Sequence, residues 1–240
     1  MAPTGCNTST SSSHQLHFLK FLPSQVKDTP TLERFTAVGA NAAKLDLQSK
    51  EINDFIEMLQ KHHTTVDVTL VTFEGMFTGR PGQVSPDFAP VLNRLPAQVQ
   101  RGAYTGGVPV TEQNDQLYRD SYGAMLRMTK RMYDAGVPIL AVTDATPGII
   151  VASRVGTRGQ GWNPLAKALQ IATFNTARLL KQENELGSIA PGKRADFVLV
   201  EVNTAEHISD IGRCRLVMKN GVLYKKSAEI YGAVGIKPAD

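Results

Sequence analysis

The stretch Gly136-Val-Pro-Ile-Leu-Ala-Val-Thr-Asp144 decides the fold class of this chain. The segment 137–142 is a short, continuous apolar run without alternation, which is typical of a parallel strand covered on both faces. Functional groups gather at the carboxyl ends of parallel strands in α/β proteins, so the position favours Asp144 as a functional acid. The alternative is that Asp144 only stabilises the turn after the strand, because Asp is a common turn residue.

A helix and a small β-unit follow this strand. Asn163 suits the N-cap and Pro164 the first turn of a helix that runs to about Leu180. Its apolar face is predicted at Leu165, Leu169, Ala172, Thr176 and Leu179. A glycine- and proline-rich turn over 186–196 then leads into a strand over 197–200. Two more strands are predicted over 215–218 and 222–224, joined by the hairpin signal Asn220-Gly221.

Upstream of 136, helices and a strand alternate. One helix face is predicted at Leu32, Phe35, Val38, Ala42 and Leu45. A second is predicted at Ile52, Phe55, Ile56 and Leu59, with Ser49 as N-cap. A strand is expected from Val66 to Thr72, and a helix over about 112–135 is expected to pack Tyr118, Tyr122, Met125 and Met132 into the core. The long connection over about 75–110 is of the kind that forms substrate lids; its Phe77, Phe88 and Tyr104 either wall a pocket or, as we favour, anchor the connection.

Two further segments carry a resemblance to a known family. The series Gly187-Ser-Ile-Ala-Pro-Gly-Lys-Arg-Ala-Asp-Phe-Val-Leu199, followed by Val217-Met-Lys-Asn-Gly-Val222, resembles the C-terminal signature of the amidohydrolase superfamily. The nearest likeness is to its imidazolonepropionase-like and prolidase-like branch. Residues 66–74 resemble the seventh barrel strand of that branch and residues 136–144 its eighth.

The resemblance implies an α/β fold built as a partial TIM-like (β/α) barrel that is followed by a small β-sandwich-type unit. We expect a disordered start over 1–13, an incomplete barrel over 14–182, the β-unit over 183–230 and a tail over 231–240. Only about three barrel strands can be counted, whereas a closed barrel needs eight. An open barrel exposes a strand edge, so a homo-oligomer or a complementing N-terminal fragment is a possible partner.

The same resemblance implies a metal-dependent chemistry. In such enzymes the strand-eight aspartate, here Asp144, contacts a divalent metal and accepts the proton of the attacking water. Zinc, the expected ion, lowers the pKa of bound water to about 7. The implied reaction is hydrolysis of an amide-type C–N bond in a small-molecule amide or dipeptide-like substrate. Substrate-binding residues are not assigned.

The other metal ligands of the family are poorly matched in this chain. The family draws on a His-x-His pair, a carboxylated lysine and further histidines, and this chain has five histidines and no His-x-His. Distance from the segment 18–23, which resembles the stretch after strand six, puts His14 nearest the expected strand-six ligand, with His17 as a weaker candidate. The alternative for both is a polar residue near a terminus.

Other titratable residues have plainer interpretations. His62 and His63 are predicted to end a helix that starts at Lys50, and His207 is expected to be exposed. Asp67 and Glu74 bracket the predicted strand over 66–72. Asp67 either lines the cavity and Glu74 starts the following loop or, as we favour, each serves a turn or solvated role. The glycine-rich, basic segment 148–162 departs from the helix that the family has after strand eight.

Composition narrows the class of protein. A hydrophobic content of 42% supports a core, and a net charge of +4 without an aromatic-basic stripe argues against nucleic acid. No stretch approaches the roughly 20 apolar residues of a membrane span. Cys6 and Cys214 are far apart and lack metal-ligand spacing, so we expect a reducing, cytoplasmic location.

Three hypotheses therefore remain. The chain is a metal-dependent amide hydrolase whose missing ligands come from elsewhere, or a catalytically silent amidohydrolase remnant that acts as a structural or subunit-pairing module. The third is an unrelated α/β binding protein.

Overall fold

The computed structural model describes residues 11–13, 18, 21, 31–84, 89, 92–140, 165–201 and 214–224. These residues form a mixed α/β structure with two small three-stranded sheets. The strands are β1 (Ser11–Ser13), β2 (Thr65–Asp67), β3 (Ile139–Leu140), β4 (Phe197–Val200), β5 (Cys214–Lys219) and β6 (Val222–Tyr224). The α-helices are α1 (Glu33–Asn41), α2 (Lys50–Lys61), α3 (Leu70–Thr78), α4 (Ala97–Gly102), α5 (Asp115–Asp134), α6 (Leu165–Gln170) and α7 (Thr176–Leu179).

The first sheet is parallel, and its strands follow one another in chain order. β2 lies between β1 and β3, with Ser12 opposite Val66 and Val66 opposite Ile139. Helices α1 and α2 lie between β1 and β2 in the chain, and α3 to α5 lie between β2 and β3. Parallel neighbours need such long crossovers, so the alternation predicted from the sequence is confirmed.

The expected disordered start extends too far along the chain. Ser11–Ser13 is paired with β2 and belongs to the sheet. A parallel ladder is made by backbone N–H and C=O groups, so a serine run can extend a sheet although its composition resembles that of a disordered segment. Residues 1–10 lie outside the described part of the chain.

One face of the parallel sheet packs against the helices. Val66 and Val68 are buried in the same core as Val137 and Ile139. The α2 residues predicted for this role, Ile52, Phe55, Ile56 and Leu59, are all buried, and the Ser49 side chain accepts a hydrogen bond from the Ile52 N–H as the predicted N-cap. In α5, Tyr118, Met125 and Met132 are buried and Tyr122 is half-buried, which confirms the predicted core face.

The strand predicted from Val66 to Thr72 is wrong after Asp67. One Asp67 carboxylate oxygen, Oδ1, accepts hydrogen bonds from the Thr69 N–H at 3.3 Å and the Thr69 hydroxyl at 2.8 Å, which turns the chain out of the strand. Helix α3 starts at Leu70 and buries Leu70, Phe73 and Phe77. A continuous apolar run fits a buried strand and a buried helix equally well, which is why the pattern misled.

The helix after β3 is confirmed over Leu165–Leu179, but its predicted face is wrong. A π-helical turn, Ile171–Asn175, interrupts it, and the Thr176 hydroxyl donates to the Ile171 carbonyl five residues back. Because a π-turn adds one residue to the turn, the burial shifts to Ile171 and Ala177 while Ala172 is exposed. Asn163 and Pro164, the predicted cap and first residue, lie outside the described residues.

The C-terminal β-unit is predicted closely by the sequence. All three strands form an antiparallel sheet in the order β4-β5-β6. Asn220 and Gly221 have φ values of 50° and 77°, the positive values that a type I′ hairpin requires. Asp196 accepts from the Asn220 N–H and from Lys219 Nζ, and these bonds, the one to Lys219 first, lower the pKa of its carboxyl.

This antiparallel sheet is apolar yet buries none of its residues. Val198, Val217 and Tyr224 are directly opposite one another across the three strands and form one row on one face. Phe197, Met218 and Leu223 form the corresponding row on the other face. Val198 is 53% exposed, Leu199 55% and Val222 56%.

No described helix combines the length and the hydropathy that crossing a membrane requires.

The contact between α1 and α5 yields a stability prediction. A Cβ added at Gly39 in α1 would lie 2.5 Å from the Tyr118 ring, whereas a Cβ at Gly75 in α3 would have no neighbour within 4 Å. We expect Gly39→Ala to lower the free energy of unfolding by about 1–3 kcal/mol, because overpacking forces the buried ring to shift. Gly75→Ala, the matched control, should raise it by about 0.5–1 kcal/mol through helix propensity alone. Urea denaturation followed by circular dichroism measures both, and equal effects of the same sign would contradict the close contact.

Candidate functional site

The carboxyl edge of the parallel sheet is the candidate site. Ser13, Asp67 and Leu140 are register partners across the three strands and mark this edge. In the sequence, His14 follows Ser13 directly, and Asp144 comes four residues after Leu140. Both candidate residues lie outside the described residues, so their assignment remains a prediction, as does that of His17.

Asp67 is the acidic residue at this edge that the structure does describe. Val66 and Val68 point into the helical core, so the alternation of a strand puts Thr65 and Asp67 on the opposite face. Asp67 is half-buried, and its carboxylate holds the turn to Thr69. The turn role favoured from the sequence is therefore present. Glu74 lies within α3, so its placement at the start of a loop is wrong.

The described histidines are not placed for a shared metal ion. His62 is the C-cap of α2, and His63 follows with a φ of 50°. Both side chains are exposed, which confirms their interpretation as a helix end. His207 lies outside the described residues. Among the residues that the structure describes, no three His, Cys, Asp or Glu side chains are grouped to hold a metal ion.

A cavity of about 790 Å³ lies between β3 and the helical segment 165–179. Its apolar wall includes Val137, Ile139 and Leu140, and Thr65 adds a hydroxyl. Across from β3, the helical segment contributes Lys167, Asn175 and Arg178. None of these three helical residues was predicted as a site residue from the sequence. Their separations of eight and three residues place them on one side of a helix, which is the signal that could have pointed to them.

The long connection after α3 is shorter than predicted and is fixed to α5. Residues up to Thr78 belong to α3, and the connection contains a 3₁₀ turn, Leu92–Arg94, and helix α4. Arg80, at its start, binds the Asp115 carboxylate with its Nε at 2.6 Å and its Nη2 at 2.5 Å. At its other end the Val108 N–H donates to the Met76 carbonyl at 3.1 Å.

The aromatic residues of this connection have different positions. Phe77 lies inside α3 and packs edge-on against Tyr118 with 5.5 Å between ring centroids, so it anchors the structure as favoured. Tyr104 is exposed, and Phe88 lies outside the described residues.

Comparisons with known proteins find similarity to the superfamily that the sequence resembles. Residues 114–224 match the model of the Amidohydrolase family. Adenine deaminase 3 of Rhizobium meliloti is 30% identical over 149 residues, which are 50% of this chain and 25% of that protein. Imidazolonepropionase of Geobacillus kaustophilus is 29% identical over 111 residues, which are 42% of this chain and 26% of that protein.

Among solved structures, a Xaa-Pro dipeptidase with bound methionine is similar with a TM-score of 0.46 and 24% identity, over 81% of this chain and 42% of that one. The chain spans about a quarter of the length of the two curated relatives named above.

The anchor at Asp115 generates a prediction of pH dependence. Hydrogen bonds from Arg119 and then Arg80 lower the pKa of the Asp115 carboxyl below its ordinary value of 3.8. A lowered pKa means that this stabilisation is complete above the unfolded-state pKa and is lost as the pH falls through the folded-state pKa. We expect Asp115→Asn to be less stable at pH 7 and to lose less stability than the parent chain between pH 5 and pH 2.

The control for this experiment is Asp120→Asn, which removes a carboxylate of the same helix that accepts from the neutral Gln116 side chain. Its urea midpoints between pH 5 and pH 2 should follow those of the parent chain. If Asp115→Asn follows them as well, Asp115 does not carry the proposed anchoring charge.

Proposed function

Because the C-terminal part of this chain belongs to the amidohydrolase superfamily, we propose that the chain is the C-terminal portion of a hydrolase that acts on C–N bonds. The observation that carries the proposal is the family match over residues 114–224, which includes strand β3 and the segment leading from it to Asp144. Imidazolonepropionase and adenine deaminase are among the relatives, and a deaminase is named for a reaction that breaks a C–N bond. We take a small-molecule amide or dipeptide-like compound as the substrate class.

The proposed architecture is a partial (β/α) barrel over 14–182 with a β-unit over 183–230. Three parallel strands in consecutive order, each separated from the next by helices, support a barrel segment. The antiparallel sheet of β4, β5 and β6 supports a separate β-unit.

In the proposed mechanism Asp144 is the proton acceptor. When bound, a divalent ion such as zinc would supply Lewis acidity that brings the pKa of water to about 7. Asp144 would take the proton of the attacking water and pass it to the leaving nitrogen as the C–N bond breaks. His14 would supply a neutral imidazole ligand, and a carboxylate with imidazoles is a donor set that zinc accepts. The described residues contain no metal-binding group of three, so the ligand set depends on His14, Asp144 and residues contributed from elsewhere.

The test compares two variants in metal content and in hydrolysis. We expect Asp144→Asn to lower the rate of hydrolysis of a dipeptide and lactam panel by about 10²–10⁴-fold, because a positioned general base contributes that much. We expect His14→Gln to lower the zinc content measured by mass spectrometry after dialysis. Asp120→Asn, distant in sequence from the candidate edge, should change neither readout, and circular dichroism should show the same fold for all three.

Two outcomes of this test distinguish an error in the role of Asp144 from an error in the hydrolase proposal as a whole. Activity that survives Asp144→Asn removes Asp144 from its role as proton acceptor. A parent chain that holds less than about a tenth of an equivalent of zinc, manganese or iron and hydrolyses nothing contradicts the hydrolase proposal.

A second candidate function, a catalytically silent module that pairs with another subunit, is favoured by the β4-β5-β6 sheet. Its strands β4 and β6 are continuous apolar runs, as in sheets covered on both faces, yet Val198, Leu199 and Val222 are each more than half exposed. Exposed apolar patches that are rimmed by polar residues mark association sites. Here the rim carries the pairs Asp196–Lys219 and Glu201–Arg215, which offer both signs of charge to a partner. A second copy of the chain, or a complementing N-terminal fragment, is the proposed partner.

Sedimentation velocity tests this second function. We expect the parent chain to sediment as a dimer or higher species at micromolar concentration, and Val198→Thr combined with Val222→Thr to shift it towards monomer. These substitutions keep β-branched side chains in the strands, so the fold should persist. The control Leu32→Thr removes an exposed leucine that is 61% accessible at the start of α1. A clean monomer for the parent chain contradicts self-association.

A further inference from the structure

The cavity beside β3 extends from Leu140, at the carboxyl edge, towards the residues that precede β3. It is bounded by Gly136 and Val137, which precede β3, and by the π and α7 turns of the helical segment 165–179. Its volume of about 790 Å³ is within the range of small-molecule sites, about 300–1,000 Å³.

The charges on the cavity wall are unbalanced towards positive. Lys167 Nζ contacts only the neutral Gln170 side chain, at 3.3 Å, and the Arg178 guanidinium lies 5.9 Å from the Phe174 ring centroid. Among the residues that the structure describes, neither cation has a carboxylate partner. Of the acidic residues on the wall, Asp134 is paired with Lys130, which leaves Glu183 as the one uncompensated carboxylate there within the described residues. Two unpaired cations therefore face one unpaired anion.

Uncharged polar groups also lie on the wall. Thr65 is 2% exposed, and its hydroxyl is buried without a hydrogen-bond partner among the described residues. A buried hydroxyl without a partner is destabilising, and a ligand oxygen would remove that penalty. The Asn175 amide adds a second polar group.

The backbone of β3 can contribute a donor as well. The Val66 N–H donates to the carbonyl of Pro138, which precedes β3, and the Val68 N–H donates to the Leu140 carbonyl, so both of these carbonyl groups face β2. Because a strand alternates, the N–H of Ile139 faces away from β2, on the side where β3 forms the edge of the described sheet.

The rest of the lining is apolar. Pro138, Leu140 and Leu179 supply a hydrocarbon surface next to these donors. A free inorganic anion would leave that surface wet, and a purely apolar ligand would leave the cations and the Thr65 hydroxyl without partners. The lining therefore matches a molecule with an anionic head and a short hydrocarbon body.

We propose that the cavity between β3 and the helical segment 165–179 binds a small amphipathic carboxylate, whose head contacts Arg178, Lys167 and Thr65 and whose hydrocarbon body lies on Pro138, Leu140 and Leu179. The carboxylate accepts charge-assisted hydrogen bonds from the two cations and a hydrogen bond from the Thr65 hydroxyl.

Isothermal titration calorimetry with three probes tests the proposal: octanoate, 1-octanol and inorganic phosphate. We expect octanoate to bind at least about tenfold more tightly than either of the others, because octanol lacks the charge and phosphate lacks the hydrocarbon body. Arg178→Gln should weaken octanoate binding by about tenfold, the size expected for one charged hydrogen bond. The control Lys61→Gln removes an exposed cation at the end of α2 and should leave the affinity unchanged.

Thr65→Val distinguishes a ligand-binding role of the Thr65 hydroxyl from a purely structural one. Without ligand, the variant should melt at a temperature equal to or higher than the parent chain, since a methyl group replaces an unpartnered buried hydroxyl. Its octanoate affinity should nevertheless fall several-fold.

Three outcomes would overturn the proposal. The first is an octanoate affinity no greater than that of octanol, and the second is an affinity that Arg178→Gln and Thr65→Val leave unchanged. The third is loss of octanoate binding in Leu199→Ser, which would locate the probe on the exposed β4-β5-β6 sheet.

Discussion

The burial of one face of a short parallel sheet against a helical layer is the constraint on which the described structure depends. β2 has three residues and β3 has two, so the ladder bonds between them are few. What holds the strands in register is the burial of Val66, Val68, Val137 and Ile139 against the apolar faces of the helices. A shift of β2 by one residue would move Val66 out of the core and could bring the half-buried Asp67 carboxylate into it, at the cost of burying a charged group. The register that aligns Ser13, Asp67 and Leu140 at one edge is therefore fixed by packing.

Local signals in the sequence predicted most of the described elements. Amphipathic spacing predicted α2 and α5 with their buried faces, and the Asn220-Gly221 pair predicted the hairpin. Two errors came from information that periodicity does not carry. The hydrogen bonds between Asp67 and Thr69 decide where β2 ends, and a π-turn changes the phase of the helix after residue 170. Both depend on single bonds that an apolar pattern does not reveal.

The candidate site was predictable only through the family resemblance. Nothing in the spacing of His14 and Asp144 brings them together, because 129 residues separate them and the sheet topology is what relates their strands. The cavity lining was missed for a different reason. Lys167 and Arg178 look like ordinary solvated helix charges, and only their position across from β3 makes them part of a wall. The candidate site and the cavity are therefore determined by strand order and helix placement more than by local motifs.

The two sheets of the chain differ in how much of their apolar surface is buried. The parallel sheet shares its core with four helices, whereas the antiparallel sheet exposes both of its apolar faces. Val198, Leu199 and Val222 keep more than half of their surface exposed in the folded chain, and this exposed apolar surface is what supports the proposed subunit pairing.

The π-turn at Ile171–Asn175 has a consequence for how this part of the molecule can diverge. The extra residue of a π-turn is accommodated in nearly the same rotation as an α-turn, so deleting one residue there would restore a uniform α-helical pitch and leave the Lys167 end in nearly the same orientation relative to the Arg178 end. A single-codon loss in a homologue would therefore remove the π-turn while keeping the two basic side chains on one wall and every strand of the parallel sheet untouched.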